Sequence, residues 1–219
     1  MLPMNADNTG VRLSAFCVRS AALNDFFTTS QGTPLASIRL PYSTGSIGVL
    51  LSAPLMVTRS DRSLYARNQF SAINGKCVDL DGFHDGEVSL NVCLDVAGFG
   101  IVMNNSNPDM ESRNVRIEGN LLDGVKYGGI FVIGAGNAIR RNRLLNLNTA
   151  HCGCYYTAGE PDLFSSGIYL GKGAERPAPA RGNRIEENEI TGYRMDHSCI
   201  GAAPTIDPAW NTMRGNRCK

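Results

Sequence analysis

The sequence has little excess of charge of either sign and few aromatic side chains. Its 219 residues carry 21 Lys and Arg against 20 Asp and Glu, a formal net charge of +1. This balance gives no reason to expect a nucleic-acid partner, which calls for a basic excess. Aromatic residues make up 7% of the chain, with a single Trp, whereas 24 glycines and 10 prolines favour many turns and short strands over a helical bundle.

No apolar run is long enough to cross a membrane. The most apolar stretch, residues 47–57, is interrupted by Pro54, and a spanning helix needs about 20 apolar residues. The first residues lack the basic and apolar regions of a signal peptide, so either the protein is cytoplasmic or a leader was removed. Seven cysteines favour an oxidising compartment, with at least one left unpaired. We therefore predict a secreted or periplasmic protein without a membrane span.

A short segment recurs along the chain, in which an Asn lies between apolar residues at nearly fixed places. Copies read YARNQF, VSLNVC, VRIEGNLL, IRRNRLL, IEENEI and MRGNRC, and their Asn residues are Asn68, Asn91, Asn120, Asn142, Asn188 and Asn216. Intervals of 23, 29, 22 and 28 residues between them fit one coil of a parallel β-helix each. The remaining interval, 46 residues, fits either two coils or one coil with a long insertion.

A second motif, a small residue followed by an alternating strand, lies between these segments. It reads KCVDLDG, FGIVMNN, GGIFVIG, SGIYLGK and HSCIGA. Alternation predicts an inward set (Val78, Leu80, Ile101, Met103, Ile130, Val132, Ile168, Leu170) and an outward set (Asp79, Asp81, Val102, Asn104, Phe131, Ile133, Tyr169, Gly171). Stacked coils then share one core. We interpret the Asn residues as a structural ladder, left-handed at a bend and bonded to neighbouring coils.

These repeats resemble those of the pectate-lyase-like superfamily, which includes polysaccharide lyases, glycoside hydrolases, uronan epimerases, phage tailspikes and the copper-site maturation protein NosD. The resemblance implies an all-β, single-stranded right-handed parallel β-helix, a solenoid. We predict this solenoid over residues 60–219, with a loop insertion around residues 148–165. Residues 1–59 are predicted as an N-terminal cap, with a short helix at 20–29, and irregular early coils.

The most suggestive polar cluster is Asp79, Asp81, His84 and Asp85 in CVDLDGFHDGEV. Carboxylates two residues apart on a strand share a face, so the group can pair an acid with a base. Asp79, Asp81 and Asp85 also offer the oxygen ligands that Ca²⁺ prefers. The cluster resembles the Asp-Pro-His-Asp motif of alginate C5-epimerases, without its proline. The alternative is that Asp79 and Asp81 only solvate an outward strand.

Stacking extends this face into an aromatic stripe suited to a sugar chain. Asp79 is predicted in register with Val102, Phe131 and Tyr169, and Asp81 with Asn104 and Ile133. Lysines beside the strands would neutralise uronate carboxylates, and one of them, Lys126, is our predicted catalytic base. The predicted substrate-binding residues are Asn104, Tyr127, Phe131, Tyr169 and Lys172. We expect the insertion YYTAGEPDLF to wall this groove with Tyr155, Tyr156 and Glu160.

The predicted function is action on an acidic polysaccharide, as a lyase or uronan epimerase. One alternative is a glycan-binding or surface-structural β-helix without catalysis. A second is periplasmic metal handling like that of NosD, through His151 and Cys154 of the segment HCGC. A disulfide within this loop, or contact with Cys199, is the competing interpretation of those cysteines. The sequence leaves the oligomeric state open.

Overall fold

The computed structural model of the chain describes residues 62–106, 111–173 and 176–219, together with the backbone of three short strands upstream. Nearly all regular structure is short strands. The first ten are β1 (Val18–Arg19), β2 (Leu50–Leu51), β3 (Leu55–Thr58), β4 (Leu64–Ala66), β5 (Gln69–Ile73), β6 (Val78–Asp81), β7 (Glu87–Ser89), β8 (Val92–Val96), β9 (Ile101–Asn104) and β10 (Arg116–Glu118). The next ten are β11 (Leu121–Val125), β12 (Ile130–Val132), β13 (Ala138–Arg140), β14 (Arg143–Leu147), β15 (Ile168–Leu170), β16 (Arg184–Glu186), β17 (Glu189–Gly192), β18 (Ile200–Ala202), β19 (Thr212–Arg214) and β20 (Arg217–Cys218). A helical turn, α1 (Met195–Ser198), and a 3₁₀ helix (Pro208–Trp210) complete the described elements.

Strands three apart in the chain pair side by side and build three sheets. Sheet 1 has the order β1-β4-β7-β10-β13-β16-β19, sheet 2 the order β2-β5-β8-β11-β14-β17-β20, and sheet 3 the order β18-β15-β12-β9-β6-β3. All pairings are parallel except that of β1 with β4. A fourth side carries only single bridges, joining His84, Arg113, Ala135 and Arg181 in turn. The predicted right-handed parallel β-helix is confirmed.

The core is a column of apolar side chains that repeats from coil to coil. In sheet 3, Val78, Ile101, Ile130 and Ile168 lie in register and are buried, and so are the other predicted inward residues. Burial of each such side chain stabilises the fold by about 1.5–3 kcal/mol. Ile133, another residue predicted to face outward, follows the end of β12 and is buried like Val102, Phe131 and Tyr169, so its burial does not contradict that prediction.

The six repeat Asn residues form a ladder at the corner between sheets 1 and 2, in which all but Asn216 are buried. Asn120, for example, donates through Nδ2 to Asn142 Oδ1 at 3.0 Å and to the Val88 carbonyl at 2.9 Å. The left-handed residue at this bend is the one before each Asn, with φ of 51–66° at Arg67, Leu90, Gly119, Arg141, Glu187 and Gly215. The ladder is therefore as expected, whereas its left-handed conformation falls one residue earlier than we expected.

A second Asn ladder lies at the corner before sheet 1. Asn183 donates through Nδ2 to Asn211 Oδ1 at 3.0 Å. Asn137 belongs to the same ladder, because its backbone N–H donates to Asn183 Oδ1 at 2.8 Å. These three residues each precede a member of the first ladder by five positions. That spacing is a second periodic signal in the sequence, and the prediction of a single ladder left it out.

The long interval between Asn142 and Asn188 is one coil with an insertion. β14 pairs directly with β17, and Asn142 Nδ2 donates to Asn188 Oδ1 at 3.0 Å, so no coil intervenes. Upstream, β2 and β3 extend sheets 2 and 3 before residue 60. The domain boundary there stays a prediction, and the helix predicted at residues 20–29 lies outside the described residues. No helix in the described part of the chain has the length and apolar character of a membrane span.

Three disulfides connect the described cysteines. Cys77 pairs with Cys93 and Cys199 with Cys218, with Cα–Cα distances of 6.3 and 5.7 Å. Cys152 pairs with Cys154 inside the insertion. The loop disulfide is thus the interpretation of HCGC that the structure supports.

Candidate functional site

The insertion loop, residues 148–165, packs over the outward face of sheet 3. Val102, Phe131 and Tyr169 point outward in register from β9, β12 and β15, as the alternation predicts. All three are nevertheless buried, and Tyr169 is only 1% exposed. Leu163 of the loop is buried with them in the same apolar cluster. The outward stripe is therefore covered and is not an open groove.

Four aromatic rings hold the loop against the solenoid. Phe164 of the loop stacks on Phe99 with a centroid distance of 5.4 Å and lies 4.7 Å from the Tyr127 ring. Tyr156, also in the loop, meets Phe164 edge-on at 5.1 Å. Each such pair contributes about 0.5–1.5 kcal/mol beyond area burial. Lys126 lies outside this cluster with its Nζ 5.2 Å from the Tyr127 centroid.

Glu160 is the buried charged group of the loop. Its Oε1 accepts a hydrogen bond from the Lys172 backbone N–H at 2.9 Å, while its buried Oε2 has no partner. Gly171 leaves room for this carboxyl group, because a Cβ there would lie 2.9 Å from Oε2 and would run into the Phe131 ring. Burial raises the pKa of the Glu160 carboxyl group.

The Tyr169 hydroxyl group is the second buried polar group beneath the loop. It completes no hydrogen bond within the ordinary geometric limits, but it lies close enough to the Glu160 carboxyl group for each to shift the pKa of the other. Burial, and then the neighbouring carboxyl group of Glu160, raises the pKa of Tyr169. Unpaired buried polar atoms are uncommon, since each costs about 1–3 kcal/mol. Their occurrence together under one loop marks this place as a candidate site.

A small pocket opens between the insertion loop and sheet 3. Its volume is about 110 Å³, and its polar lining consists of Lys76, Asn104 and Glu160. The apolar lining consists of Phe99, Val102, Phe131, Tyr156 and Leu163. Aromatic walls with a few converging polar groups are typical of small-ligand sites.

Asp79 lies beside this pocket and is tied to two of its lining side chains. Its Oδ2 accepts from Lys76 Nζ at 2.8 Å and its Oδ1 accepts from Asn104 Nδ2 at 2.7 Å. The carboxylate thereby fixes the direction of both donors. Of the predicted catalytic residues, Asp79 is the one that the structure joins to the pocket lining.

Asp81 faces away from that pair toward the chain beyond β9. Its Oδ1 accepts from the Ser106 backbone N–H at 2.8 Å, and its Oδ2 accepts from the Ser106 hydroxyl group. Asp81 pairs in register with Asn104, as predicted. Its carboxylate here holds the start of the following segment.

His84 and Asp85 lie on the fourth side of the solenoid. Asp85 Oδ2 is 2.9 Å from His84 Nδ1 and 3.0 Å from an Arg113 guanidinium nitrogen, and Oδ1 accepts from Asn114 Nδ2 at 2.8 Å. Hydrogen bonds from Asn114 and then His84, with the charge of Arg113, lower the pKa of Asp85. The structure does not bring this pair into the pocket lining.

The predicted calcium ligands do not form a common site. Among the described residues, no group of three or more His, Cys, Asp and Glu side chains is placed to hold a metal ion. Asp79 and Asp81 bond to different partners, and Asp85 lies on another side of the solenoid. The pairing of Cys152 with Cys154 also takes up both sulfurs that a metal at His151 would need.

The remaining predicted binding residues surround the loop in different ways. Phe131 and Asn104 line the pocket, whereas Tyr127 belongs to the aromatic cluster and Tyr169 lies beneath the loop. Lys172 contributes its backbone N–H to Glu160. We therefore take the pocket and the groups beneath the loop as the candidate site.

The comparisons with known proteins agree with this architecture. Residues 42–144 match the family model described as a right-handed β-helix region. The chain is a right-handed parallel β-helix repeat protein. No curated protein and no solved structure matched it in the other two comparisons.

The sequence of this β-helix protein gave no indication of Lys76 and predicted for Glu160 only a place on a wall. Lys76 lies two residues before strand β6, outside the alternating part of the motif, and no periodicity points to it. Glu160 lies in a loop whose path cannot be deduced from the repeat. A Glu among apolar and aromatic residues, in YYTAGEPDLF, was the available signal that a carboxyl group would be carried onto a covered surface.

Proposed function

We propose that this β-helix protein acts on an acidic polysaccharide, as a lyase or uronan epimerase, in the pocket beneath the insertion loop. The observation that carries the proposal is Glu160, a buried carboxyl group with a raised pKa and one unpaired oxygen, lining a pocket that also holds Lys76. The pectate-lyase-like superfamily, which the repeats resemble, contains enzymes of both types.

Recognition of the sugar rests on charge and on aromatic surface. Lys76 supplies the positive charge that a uronate carboxylate requires, and Asp79 and Asn104 hold it in place. Phe131 and Tyr156 supply ring faces for the CH groups of a sugar. The same ammonium group stabilises the negative charge that develops when the proton beside the uronate carboxylate is removed.

Glu160 is the proton acceptor in this proposal. Its ionised carboxylate takes the C5 proton, and its raised pKa makes it a stronger base than an exposed Glu. In elimination, the C5–H electron pair forms the C4–C5 double bond, and the C4–O4 pair leaves with the oxygen, which takes a proton from water. In epimerisation, water on the opposite face gives a proton to C5, and Glu160 releases its own proton to the resulting hydroxide.

Two assays test the catalytic proposal. Polygalacturonate, alginate and glycosaminoglycans are incubated with the protein, with and without Ca²⁺; the absorbance of unsaturated uronate reports elimination, and deuterium uptake at C5 in D₂O reports epimerisation. We expect turnover of one substrate, lowered at least about 100-fold by Glu160→Gln and little changed by the control Lys126→Gln. Absence of both signals with every substrate would overturn it.

Glycan binding without catalysis is the second candidate function. The aromatic lining of the pocket supports it, because sugar contact with the Phe99, Phe131 and Tyr156 rings needs no proton acceptor. Binding that survives Glu160→Gln, in a protein that turns over none of the three substrates, would establish this function in place of catalysis.

We also propose a secreted or periplasmic location, which the three disulfides support. Thiol titration of the denatured protein isolated from its native compartment measures this directly. Six oxidised cysteines are expected, since three pairs are in contact. Full reduction of all of them would contradict the proposed location.

A further inference from the structure

A second concave surface lies on the fourth side of the solenoid, toward its C-terminal end. It is a cleft of about 600 Å³, lined by Ala135, Gly136, Arg181, Gly182 and Trp210. None of these residues lines the pocket beneath the insertion loop. It opens broadly to solvent, so a ligand would lie on this surface and would not be enclosed.

Trp210 forms an exposed but immobilised wall of this cleft. The side chain is 50% exposed and is the single Trp of the chain. Its backbone is fixed on both sides, since its carbonyl accepts from the Gly182 N–H at 2.8 Å and its N–H donates to the Asp207 carbonyl at 3.0 Å. The next residue, Asn211, belongs to the second Asn ladder. An exposed aromatic ring on so rigid a support is pre-organised for binding.

Gly182 leaves part of the floor of the cleft bare. Gly136 and Gly182 both have left-handed backbones, with φ of 73° and 63°. A Cβ at Gly182 would meet nothing within 4 Å, so the space above this residue is open. At the equivalent bends of earlier coils, Asp85 and Asn114 carry side chains that occupy the corner. At Gly136 the space is taken by Asn114, because a Cβ there would lie 2.5 Å from Asn114 Oδ1. The open part of the floor is therefore at Gly182.

Arg181 is the charged group of the cleft. It is exposed, and its guanidinium group forms no hydrogen bond or ion pair with any described residue. Arg113, at the preceding Arg position of the same bridge column, is instead bound to Asp85 and Glu111. The Asp207 carboxylate nearby accepts from the Ala209 N–H at 2.8 Å and caps the 3₁₀ helix. The cleft therefore offers one available cation beside one aromatic face.

We propose that this cleft binds an acidic sugar unit, whose ring stacks on Trp210 and whose carboxylate or sulfate group pairs with Arg181. A planar guanidinium group binds either anion in bidentate fashion. A single cation suits one acidic sugar better than a nucleic-acid backbone, which needs several phosphate contacts. This site is separate from the pocket beneath the loop, and the proposal does not depend on the catalytic role of Glu160.

The single Trp makes intrinsic fluorescence a direct probe of the cleft. Oligogalacturonate and heparin oligosaccharides are titrated into the full chain, with cellohexaose as the neutral comparison. We expect a saturable change in Trp fluorescence with at least one acidic ligand, a dissociation constant raised at least about tenfold by Arg181→Gln, and little effect of Arg217→Gln, an exposed Arg outside the cleft.

Three results would overturn the second site. They are no fluorescence change with either acidic ligand, equal binding of cellohexaose, or an unchanged dissociation constant in Arg181→Gln. Glu160→Gln separates the two proposals, because it lies outside the cleft and should leave the fluorescence titration unaltered. If Glu160→Gln loses turnover but keeps the ligand-induced fluorescence change, both sites are supported. If Glu160→Gln loses the fluorescence change, the cleft is not an independent site.

Discussion

Buried polar side chains are handled differently at the Asn ladders and beneath the insertion loop. Asn142 is fully buried, and its side chain both donates to and accepts from neighbouring coils. Glu160 and Tyr169 are also buried, yet neither Glu160 Oε2 nor the Tyr169 hydroxyl group completes a well-formed hydrogen bond, although each group shifts the pKa of the other. The ladders satisfy every such group and hold the coils together. The groups beneath the loop carry an unmet hydrogen-bonding capacity, which is what a ligand can use.

The largest expected effect is at the centre of the ladder. Asn142→Ala removes the side-chain bonds to Asn188 and the Ile117 carbonyl, and it leaves the Asn120 backbone N–H and one Asn120 Nδ2 hydrogen unpaired. We expect the free energy of unfolding to fall by about 3 kcal/mol or more, measured by urea denaturation. Asn216→Ala is the matched control at the half-buried end of the ladder, with an expected loss smaller by about 1 kcal/mol. Equal, small losses in both variants would remove the contrast between ladder and loop.

The pH dependence of stability should distinguish Glu160 from a surface carboxylate. The pKa of Glu160 is higher in the folded state than in the unfolded state. As pH rises from the unfolded pKa to the folded pKa, the unfolded state loses this proton first, so the free energy of unfolding falls. The slope is at most about 1.4 kcal/mol per pH unit. Glu160→Gln should abolish this pH dependence. Unfolding titrations from about pH 4 to about pH 8 measure it, a range that includes the ordinary Glu pKa of about 4.3.

Glu118 provides a control of opposite sign. The hydrogen bond from Arg141 lowers its pKa, so its contribution to stability is present above the ordinary Glu range and is lost as pH falls through the folded pKa. Glu118→Gln should therefore alter the acid side of the stability curve only. If Glu160→Gln has the same effect as Glu118→Gln, the carboxyl group under the loop is not buried as described.

Tyr169→Phe should have a smaller effect and in the opposite direction from Asn142→Ala. The substitution removes a buried hydroxyl group without a partner and keeps the ring against Phe131, 6.0 Å away between centroids. We expect unfolding free energy to be unchanged or raised by up to about 1 kcal/mol in urea denaturation. A loss above about 2 kcal/mol would mean that the hydroxyl group is satisfied after all.

Asp85→Asn should have the smallest effect. The residue is partly exposed, and pairs such as Asp85 with Arg113 contribute about 0–1 kcal/mol. Because the pKa of Asp85 is lowered, that contribution is lost as pH falls below the ordinary Asp range. Unfolding curves at pH values above and below the ordinary Asp pKa of about 3.9 test this. A large loss at neutral pH would place Asp85 among the supporting groups of the fold.

The repeat could be predicted because every coil needs the same residue type at the same bend. Asn68 through Asn216 fill one corner of successive coils, and the alternation around Ile101 or Ile168 reflects a strand with one buried face. Both leave a periodic trace in the sequence. Alternation does not show what covers a strand, and Ile133, Val102, Phe131 and Tyr169 are all predicted outward and all buried.

The site could not be predicted to the same degree, because it depends on a loop without a repeat. The register of Asp79, Val102, Phe131 and Tyr169 was predictable from strand spacing. That the insertion loop would bury this stripe depends on contacts such as that of Phe164 with Tyr127, which join residues far apart in the chain. The separation of Asp85 from Asp79 likewise follows from the turn of the coil onto its fourth side.

Equilibrium binding of acidic oligosaccharides to two Lys variants tests the central claim most directly. Lys76 lines the pocket beneath the loop, whereas Lys126 lies outside its lining. Both variants carry Arg181→Gln as well, so that the second cleft does not contribute. Oligogalacturonate, oligoalginate and heparin oligosaccharides are titrated by calorimetry. We expect at least one of them to bind with a dissociation constant that rises at least about tenfold in Lys76→Gln. The same ligand should bind Lys126→Gln as before. Equal affinities for the two variants, or no binding of any acidic ligand, would contradict the pocket as the functional site.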